Sequence, residues 1–320
     1  MNWRTIAATA LRFGLSAALL MLVMAQTDLE SALLRLASAD AGWLAAAFLA
    51  LALQIVAISW RWGAIMASLH APLGLPRALS VTLAGLFIGQ ALPTSVGSDA
   101  WRIWRVHRLG HAVGTAVHGV LIDRAAALAG LVVVVGATLP ALLDRLPDAA
   151  WRGGVFAGMA ATVLLLGSAL TLDRIAARLP DWTWLRAAGR FAAALRRLLV
   201  HPRRALPLVG VSIAVHVGAG ATVWLIARSL GVGASLVDCL VLMPPILLIA
   251  GLPMSVAGWG MREGAMVALF GAAGIPADGA LPISILFGLL LLAVSLPGGA
   301  LLLVRPDLRR RPDAGISPGA

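Results

Sequence analysis

Charge is scarce in this chain. Of its 320 residues, only 12% are charged, whereas 60% are hydrophobic and the mean hydropathy is +0.93. A soluble domain has about a quarter of its residues charged, so this composition argues against a water-soluble protein. The charges lie in short stretches between long apolar runs. This pattern predicts an all-α polytopic membrane protein.

Lysine and tyrosine are absent, and Cys239 is the single cysteine. One cysteine excludes an intramolecular disulfide and a cysteine-cluster metal site. The use of arginine alone, beside abundant alanine and leucine, is explained by GC-rich codons more simply than by guanidinium chemistry. The net charge of +11 does not indicate a nucleic-acid partner, because the arginines stand between apolar segments, as cytoplasmic basic residues of membrane proteins do.

The apolar runs predict six full crossings and two broken helical hairpins. A crossing takes about 17–25 residues. The runs at 78–96 and 239–258 each end in Leu-Pro and small residues, which break a helix within the bilayer. The first run also resembles a signal peptide, but we favour an uncleaved helix. The predicted crossings are 7–25, 41–59, 125–143, 153–171, 205–228 and 281–304.

The arginines predict the orientation in a cell membrane, whether inner or plasma. Cytoplasmic loops carry the basic excess, so segment 172–204 and the tail belong in the cytoplasm and the acidic loop 144–152 outside. These assignments agree only if each hairpin enters and leaves on the same side, the first from the cytoplasm and the second from outside. Both termini then lie in the cytoplasm. Cys239 would then lie near the outer face, within reach of an impermeant maleimide.

A short motif occurs twice, half a chain apart. Leu-Pro-x-Ser-Val begins at Leu92 and again at Leu252, and an arginine follows each copy at the same spacing. Inverted-repeat transporters bring two such helix breaks together near the membrane midplane, whereas the alternative is two unrelated proline kinks. The break residues are Pro93, Ser95, Pro253 and Ser255.

The repeat suggests a division of the chain. A transmembrane domain at 1–304 would hold half-repeats at about 41–143 and 205–304, and residues 305–320 would form a polar cytoplasmic tail. The crossing at 153–171 and the basic segment 172–204 would join the two halves.

Several of these motifs together resemble the lysylphosphatidylglycerol synthase transmembrane-region family, also called flippase-like membrane proteins, over roughly residues 10–304. The resemblance implies a protein that handles or flips a lipid. Because the chain ends about 16 residues after its last predicted helix, we expect no soluble aminoacyl-transfer domain and no synthase activity. Residues carrying the resemblance are Ser59-Trp60-Arg61-Trp62, Gly89-Gln90-Ala91-Leu92-Pro93, Gly97-Ser98-Asp99-Ala100-Trp101-Arg102, Asp123-Arg124 and the stretch 252–264.

Charged residues near the two breaks are the candidate headgroup-binding site. Asp99 and Arg102 are spaced i, i+3 just past the first break, and a charge at membrane depth is unfavourable unless it is paired or hydrated. Arg102 is predicted to meet a lipid phosphate while Asp99 orients it or binds an amino or hydroxyl headgroup. The alternative is that the pair caps a hairpin at the interface.

Arg262 and Glu263 occupy the matching position in the second half, where a guanidinium can grip a phosphate with two hydrogen bonds. The alternative is an ion pair that fixes the fold. Asp123 and Arg124 are adjacent, so they point about 100° apart on a helix and are expected to have different partners. Arg124 is predicted to pair with Asp99 or Glu263, or else to be an ordinary helix-end charge.

The basic segment 172–204 is predicted to form an amphipathic helix on anionic lipid headgroups. Docking of a cytoplasmic or membrane enzyme and a merely solvated loop are the alternatives. Its candidate membrane-surface residues are Arg186, Arg190, Arg196 and Arg197.

Enzyme motifs are missing. There is no His-Glu-x-x-His and no P-loop, and the one Gly-x-Ser-x-Gly match, at 315–319, lies in the polar tail. We therefore expect no enzymatic activity, no cofactor and no metal. The sequence favours a flippase or other lipid-handling protein for a phosphate-bearing lipid (aminoacyl-, glyco- or polyprenyl-linked). The alternative is a non-transporting scaffold or regulator of a lipid- or glycan-modifying enzyme.

Overall fold

A computed structural model describes residues 3–91, 97–176, 183–251 and 258–304. In these ranges the chain forms twelve α-helices and no strands, which confirms the all-α class. The helices are α1 Trp3–Ala25, α2 Leu29–Ala37, α3 Ala41–Ser68, α4 Leu75–Ala91, α5 Gly97–Arg108, α6 Val113–Arg145, α7 Ala149–Ala176, α8 Thr183–Leu199, α9 Pro202–Ser229, α10 Leu236–Ala250, α11 Met261–Ala272 and α12 Ala277–Val304.

The long helices α3, α6, α7, α9 and α12 correspond to five of the predicted crossings, and each is apolar enough to span a bilayer. A sixth candidate span combines Gly14–Ala25 of α1 with α2, which bends away by 95°. The chain is thus a multi-pass membrane protein. Two details differ from the sequence prediction: α2 was not predicted, and α6 begins at Val113, so Asp123 and Arg124 lie inside this helix.

The order of helices is similar in the two halves. The helices α3, α4, α5 and α6 have 28, 17, 12 and 33 residues, and α9, α10, α11 and α12 have 28, 15, 12 and 28. α4 packs against α12, and α10 packs against α6. The inverted orientation of the halves stays a prediction. The break residues Pro93, Ser95, Pro253 and Ser255 lie outside the described ranges.

One end of the bundle is closed by contacts between distant parts of the chain. The backbone N–H of Asp40 donates to the carbonyl of Ser229 over 2.9 Å, and Arg145 pairs with Asp238 over 2.7 Å. At the same end Arg35 of α2 pairs with Asp278 over 3.2 Å. This end, called the acidic-loop end below, therefore contains the starts of α3, α10 and α12 and the ends of α6 and α9.

Small residues permit close helix packing in the core. A side chain at Gly130 would collide with the Cβ of Ser212, so this glycine lets α6 and α9 approach closely. Cys239 is fully buried, and the carbonyl of Cys239 lies against Gly220 of α9. The prediction that a maleimide reaches Cys239 in the folded protein is therefore wrong, because α9 covers the start of α10.

Candidate functional site

Five charged residues from three helices form what we call the first-half cluster. Arg61 lies in α3, Asp99 and Arg102 in α5, and Asp123 and Arg124 in α6. The helix α5 is short and polar and packs on both α4 and α6. It thereby brings its charges against two apolar helices.

Asp123 is the centre of this cluster. Its two carboxylate oxygens accept from different arginines, Oδ1 from Arg61 Nε at 2.8 Å and Oδ2 from Arg102 Nη1 at 3.0 Å. Arg61 also donates through Nη1 to the hydroxyl of Ser212 on α9, over 2.8 Å. All four side chains are at least nine-tenths buried. One buried carboxylate therefore ties together α3, α5 and α6, and Arg61 extends the network to α9.

Asp99 and Arg124 form a second, more exposed ion pair at the edge of the cluster. Arg124 Nη2 lies 2.9 and 3.0 Å from the two carboxylate oxygens of Asp99, and Arg124 Nε lies 3.1 Å from Oδ2. The Arg124 side chain is 57% exposed. Asp99 also lies 3.9 Å from Arg102 Nη1. With three guanidinium groups and two carboxylates, the cluster has an excess of one positive charge.

Arg102 has donors that the described residues do not use. Its Nε and Nη2 are buried and have no hydrogen-bond partner among the described residues. The guanidinium stacks over Trp62 at 4.3 Å from the ring centroid, which fixes its plane. Burying a charged donor without a hydrogen-bond partner is unfavourable by several kcal/mol. An anionic ligand that accepts from Nε and Nη2 would remove this penalty.

The depth of the cluster follows from α6. The apolar run from Ala125 to Leu143 is about 28 Å long at 1.5 Å per residue, close to the hydrocarbon thickness of about 30 Å. Arg124 therefore lies near one boundary of the hydrocarbon, at the level where lipid phosphates begin. Asp123 is about 33 Å along α6 from Arg145, so this boundary is the one opposite the acidic-loop end.

Arg262 and Glu263 form the second-half cluster, together with Gly260, Trp259 and Ser284. Arg262 donates to Glu263 Oε1 from Nη2 over 2.6 Å and from Nε over 3.1 Å. Ser284 of α12 donates to the same oxygen over 3.0 Å. Glu263 Oε2 accepts from the backbone N–H of Gly260 over 2.6 Å, which caps α11.

This second cluster is closed and neutral. Glu263 is 0% and Arg262 is 4% exposed. The guanidinium lies 4.7 Å from the Trp259 ring centroid, and a side chain at Gly288 would collide with Arg262 Nη2. Ser284 is about 9 Å along α12 from Asp278. The two clusters therefore lie toward opposite ends of the bundle.

The structure places the predicted site residues in these two clusters, and their roles stay predictions. Asp123 and Arg124 have different partners, and Arg124 pairs with Asp99 rather than Glu263. Sequence reasoning missed the contributions of Arg61, Ser212 and Ser284. Arg61 was visible only as one residue of a family motif, and nothing marked the two serines.

The arginines of α8 lie outside both clusters. Arg186, Arg190 and Arg197 are exposed, and Arg196 is half-buried. The apolar face of α8 is buried against the protein, with Leu195 and Leu198 packed against the core that contains Ile65, Ile122 and Leu208. The amphipathic pattern thus serves packing inside the protein, and binding of anionic headgroups by these arginines stays a prediction. Within the described ranges no three His, Cys, Asp or Glu side chains group as metal ligands.

Long apolar helices that carry buried ion clusters define a polytopic α-helical membrane protein. Residues 9–299 match the family model of the lysylphosphatidylglycerol synthase TM region. The chain belongs to this family, which makes it a lipid-related membrane protein. A search of curated proteins with this chain finds no match.

Proposed function

We propose that this protein is a lipid flippase or translocase that moves a phosphate-bearing lipid between leaflets. The observation that carries the proposal is a pair of buried donors on Arg102 that none of the described residues uses, in a cluster with excess positive charge at the hydrocarbon boundary. A guanidinium presents two donors in a plane, which matches two oxygens of a phosphate. The headgroup would be an aminoacyl-, glyco- or polyprenyl-linked phosphate.

The exposed pair of Asp99 and Arg124 gives the phosphate a route to Arg102. Arg124 is more than half exposed and Asp99 lies between it and Arg102. A phosphate arriving from the headgroup level would first meet Arg124 and then compete with Asp99 for both arginines. Arg102 is buried, so a contact between its guanidinium and a phosphate is screened less than the same contact in water. The lipid would thus be held by charge while its chains remain in the bilayer.

We assign a different role to the second-half cluster. Arg262 already donates twice to Glu263, so a phosphate would have to displace a buried carboxylate. Of the two interpretations open from the sequence, this geometry favours an ion pair that fixes the fold of α11 against α12. The protein would not be an enzyme, and transport would be passive, ion-coupled or driven by consumption of the lipid.

The distribution of arginines supports an orientation. Arg203 and Arg204 and the arginines of α8 lie at the end opposite the acidic loops, and the basic excess of a membrane protein is cytoplasmic. The first-half cluster would then face the cytoplasmic leaflet of the cell membrane, with both termini on that side. Transport would begin or end at this leaflet.

A translocation assay in proteoliposomes tests the proposal. Arg102→Ala should lower the rate of transfer of a fluorescent phosphatidylglycerol about tenfold to hundredfold, because one charge-assisted contact is worth about 1.5–3 kcal/mol. Asp123 keeps its bond to Arg61 in this variant, so the fold should survive, which size-exclusion profiles check. Arg102→Lys should recover part of the rate, since the positive charge remains but the planar pair of guanidinium donors is lost.

The control is the double variant Arg196→Ala, Arg197→Ala on α8. It should transport like the wild type, because these side chains lie outside the cluster. One observation supports the scaffold alternative. Arg186 and Arg190 are exposed, so a partner enzyme could contact them. The scaffold alternative would be favoured over the flippase proposal by two results together. A folded Arg102→Ala variant would transport lipid normally, and substitution of the α8 arginines would abolish the cellular phenotype of the protein.

A further inference from the structure

A cavity of about 520 Å³ lies between α3 and α9, at the end of the bundle opposite the acidic loops. This volume falls in the range of small-molecule sites in proteins, about 300–1,000 Å³. The stripe of α3 that lines it carries the small side chains of Ala64, Ala67 and Ser68, which leave the space open. Leu208 of α9 and Leu198 of α8 contribute apolar wall, so three helices meet at this cavity.

The cavity is separate from the first-half cluster. Trp60 lines the cavity, whereas its neighbour Arg61 belongs to the cluster, and adjacent side chains on a helix point about 100° apart. Trp60 is 43% exposed and Arg61 is buried. The helix α3 therefore turns its cluster face inward and its cavity face outward.

The cavity extends outward from the hydrocarbon boundary. Arg61 and Ser212 join α3 to α9 at the level of the cluster. Arg204 precedes Ser212 by eight residues, about 12 Å along α9, and His70 follows Arg61 by nine, about 13 Å along α3. Trp60 thus lies at the boundary, where tryptophan is enriched, and the far end of the cavity lies across the headgroup region, which is about 5–8 Å thick in each leaflet.

The outer end of the cavity is cationic and its inner end is apolar. Arg204 supplies a guanidinium to the outer end, beside the imidazole of His70 and the hydroxyl of Ser68. Among the residues that the structure describes, Arg204 has no ion-pair partner and no carboxylate lines the cavity. The inner end is formed by Trp60 and the two leucines. An anionic phospholipid has the same distribution of charge and apolar groups along its length.

His70 is held in a backbone conformation that favours glycine. Its φ is 59°, and it is the one non-glycine residue with positive φ in the described ranges. It follows the C-cap residue Leu69 of α3, a position where glycine commonly ends a helix. Strained backbone of this kind concentrates at binding sites. Here it keeps an imidazole, rather than a bare backbone, at the cationic end of the cavity.

We propose that this cavity binds one anionic phospholipid of the adjacent leaflet, with its phosphate at Arg204 and His70 and the start of its hydrocarbon chains at Trp60. This lipid stays bound and is not the one that is transported, since neither Arg102 nor Arg124 lines the cavity. The apolar half of the wall favours a lipid over a soluble anion. Because α3, α8 and α9 all form the wall, the bound lipid stabilises the packing of α8 on the bundle.

Photo-crosslinking tests this inference. The probe is phosphatidylglycerol with a diazirine close to its glycerol, incorporated with the full-length protein into phosphatidylcholine nanodiscs, and mass spectrometry maps the labelled residues. In the wild type the label should concentrate on residues 64–68 and on Pro207. Unlabelled phosphatidylglycerol should compete about fivefold better than phosphatidylcholine, as expected for one arginine near the membrane surface, and inorganic phosphate should not compete.

Arg204→Ala should lower this labelling about fivefold, a modest factor because the side chain is exposed. Arg203→Ala is the matched control, since it removes the same charge from the next residue, which does not line the cavity. It should be labelled like the wild type. Equal labelling of Arg204→Ala and the wild type overturns the inference.

Two substitutions on or beside α3 test the cavity itself. Ala67→Leu fills it and should lower labelling, whereas Ala45→Leu, an exposed position at the other end of α3, should not. His70→Gly should lower labelling about twofold to tenfold, the loss of one hydrogen bond. It should not lower the thermal unfolding midpoint, because glycine relieves the backbone strain. Unchanged labelling in both Ala67→Leu and His70→Gly contradicts binding in this cavity.

The competitors and Arg102→Ala separate the remaining outcomes. Equal competition by phosphatidylcholine, or competition by inorganic phosphate, overturns the assignment of an anionic lipid. Arg102→Ala should leave cavity labelling unchanged, and Arg204→Ala should leave translocation unchanged. If either variant abolishes the other property, the lipid in the cavity is the transported one and the inference fails. Normal translocation by a folded Arg102→Ala variant overturns the proposed function alone.

Discussion

The ion pair of the second-half cluster leads to a prediction about stability. Arg262→Ala would leave Glu263, which is 0% exposed, with Ser284 and the N–H of Gly260 as its remaining partners among the described residues. Removing one partner of a buried ion pair typically costs about 3–5 kcal/mol, because the remaining charge has lost its compensation. We expect this variant to unfold at a much lower temperature than the wild type.

Replacing both charges should be better tolerated than removing one. In the double variant Arg262→Met, Glu263→Gln, neither position carries a buried charge, and the amide oxygen of residue 263 can still accept from the N–H of Gly260. Replacing a buried pair with neutral groups is often close to neutral in stability, so the double variant should be more stable than Arg262→Ala alone. The partly exposed pair of Arg35 and Asp278 supplies the control, since water reaches it and Arg35→Ala should cost only about 0–1 kcal/mol.

The buried Cys239 supplies the assay. A maleimide dye that fluoresces on reaction with a thiol cannot reach this side chain in the folded protein, so the rise of fluorescence on heating reports unfolding. The midpoints should rank as wild type, then Arg35→Ala, then the double variant, with Arg262→Ala lowest. A midpoint for Arg262→Ala equal to that of the wild type would refute the ion pair and reopen phosphate binding by Arg262.

Two further predictions concern packing and topology. Gly130→Val should destabilise the protein by about 1–3 kcal/mol, since the added carbons collide with Ser212; the same maleimide assay measures this, and an unchanged midpoint would contradict the close approach of α6 and α9. In intact cells an impermeant maleimide should label the variant Gly233→Cys, since Gly233 is an exposed loop position at the acidic-loop end. It should label neither the wild type nor His201→Cys, which lies at the opposite end. Labelling of His201→Cys but not of Gly233→Cys would show that the protein has the opposite orientation in the membrane.

The long helices could be predicted because local sequence determines them. A run of about twenty apolar residues can satisfy its backbone in lipid only as a helix, so α3, α7, α9 and α12 follow directly from hydropathy. Helix α2 could not be found in this way. It is nine residues long and mostly exposed, and the ion pair that holds it joins Arg35 to Asp278, 243 residues away.

The sequence indicated which charged residues form the site, but it did not indicate which of them pair with one another. Charged residues next to apolar runs stand out at Asp99, Arg102 and Asp123. The partners of Arg61 are 62 and 151 residues away, and no local pattern encodes such distances. Burial of Cys239 depends likewise on how closely Gly220 lets α9 approach α10, which the sequence of the hairpin alone does not show.

Binding of a lipid phosphate at Arg102 is the central claim, and native mass spectrometry of the detergent-purified protein measures it most directly. With titrated phosphatidylglycerol, the wild type should retain lipid with an affinity about tenfold to hundredfold higher than that of Arg102→Ala, the loss expected for one charge-assisted contact. Diacylglycerol, which lacks the phosphate, should bind both proteins equally weakly. Equal affinity of the wild type and a folded Arg102→Ala variant for phosphatidylglycerol would contradict the account.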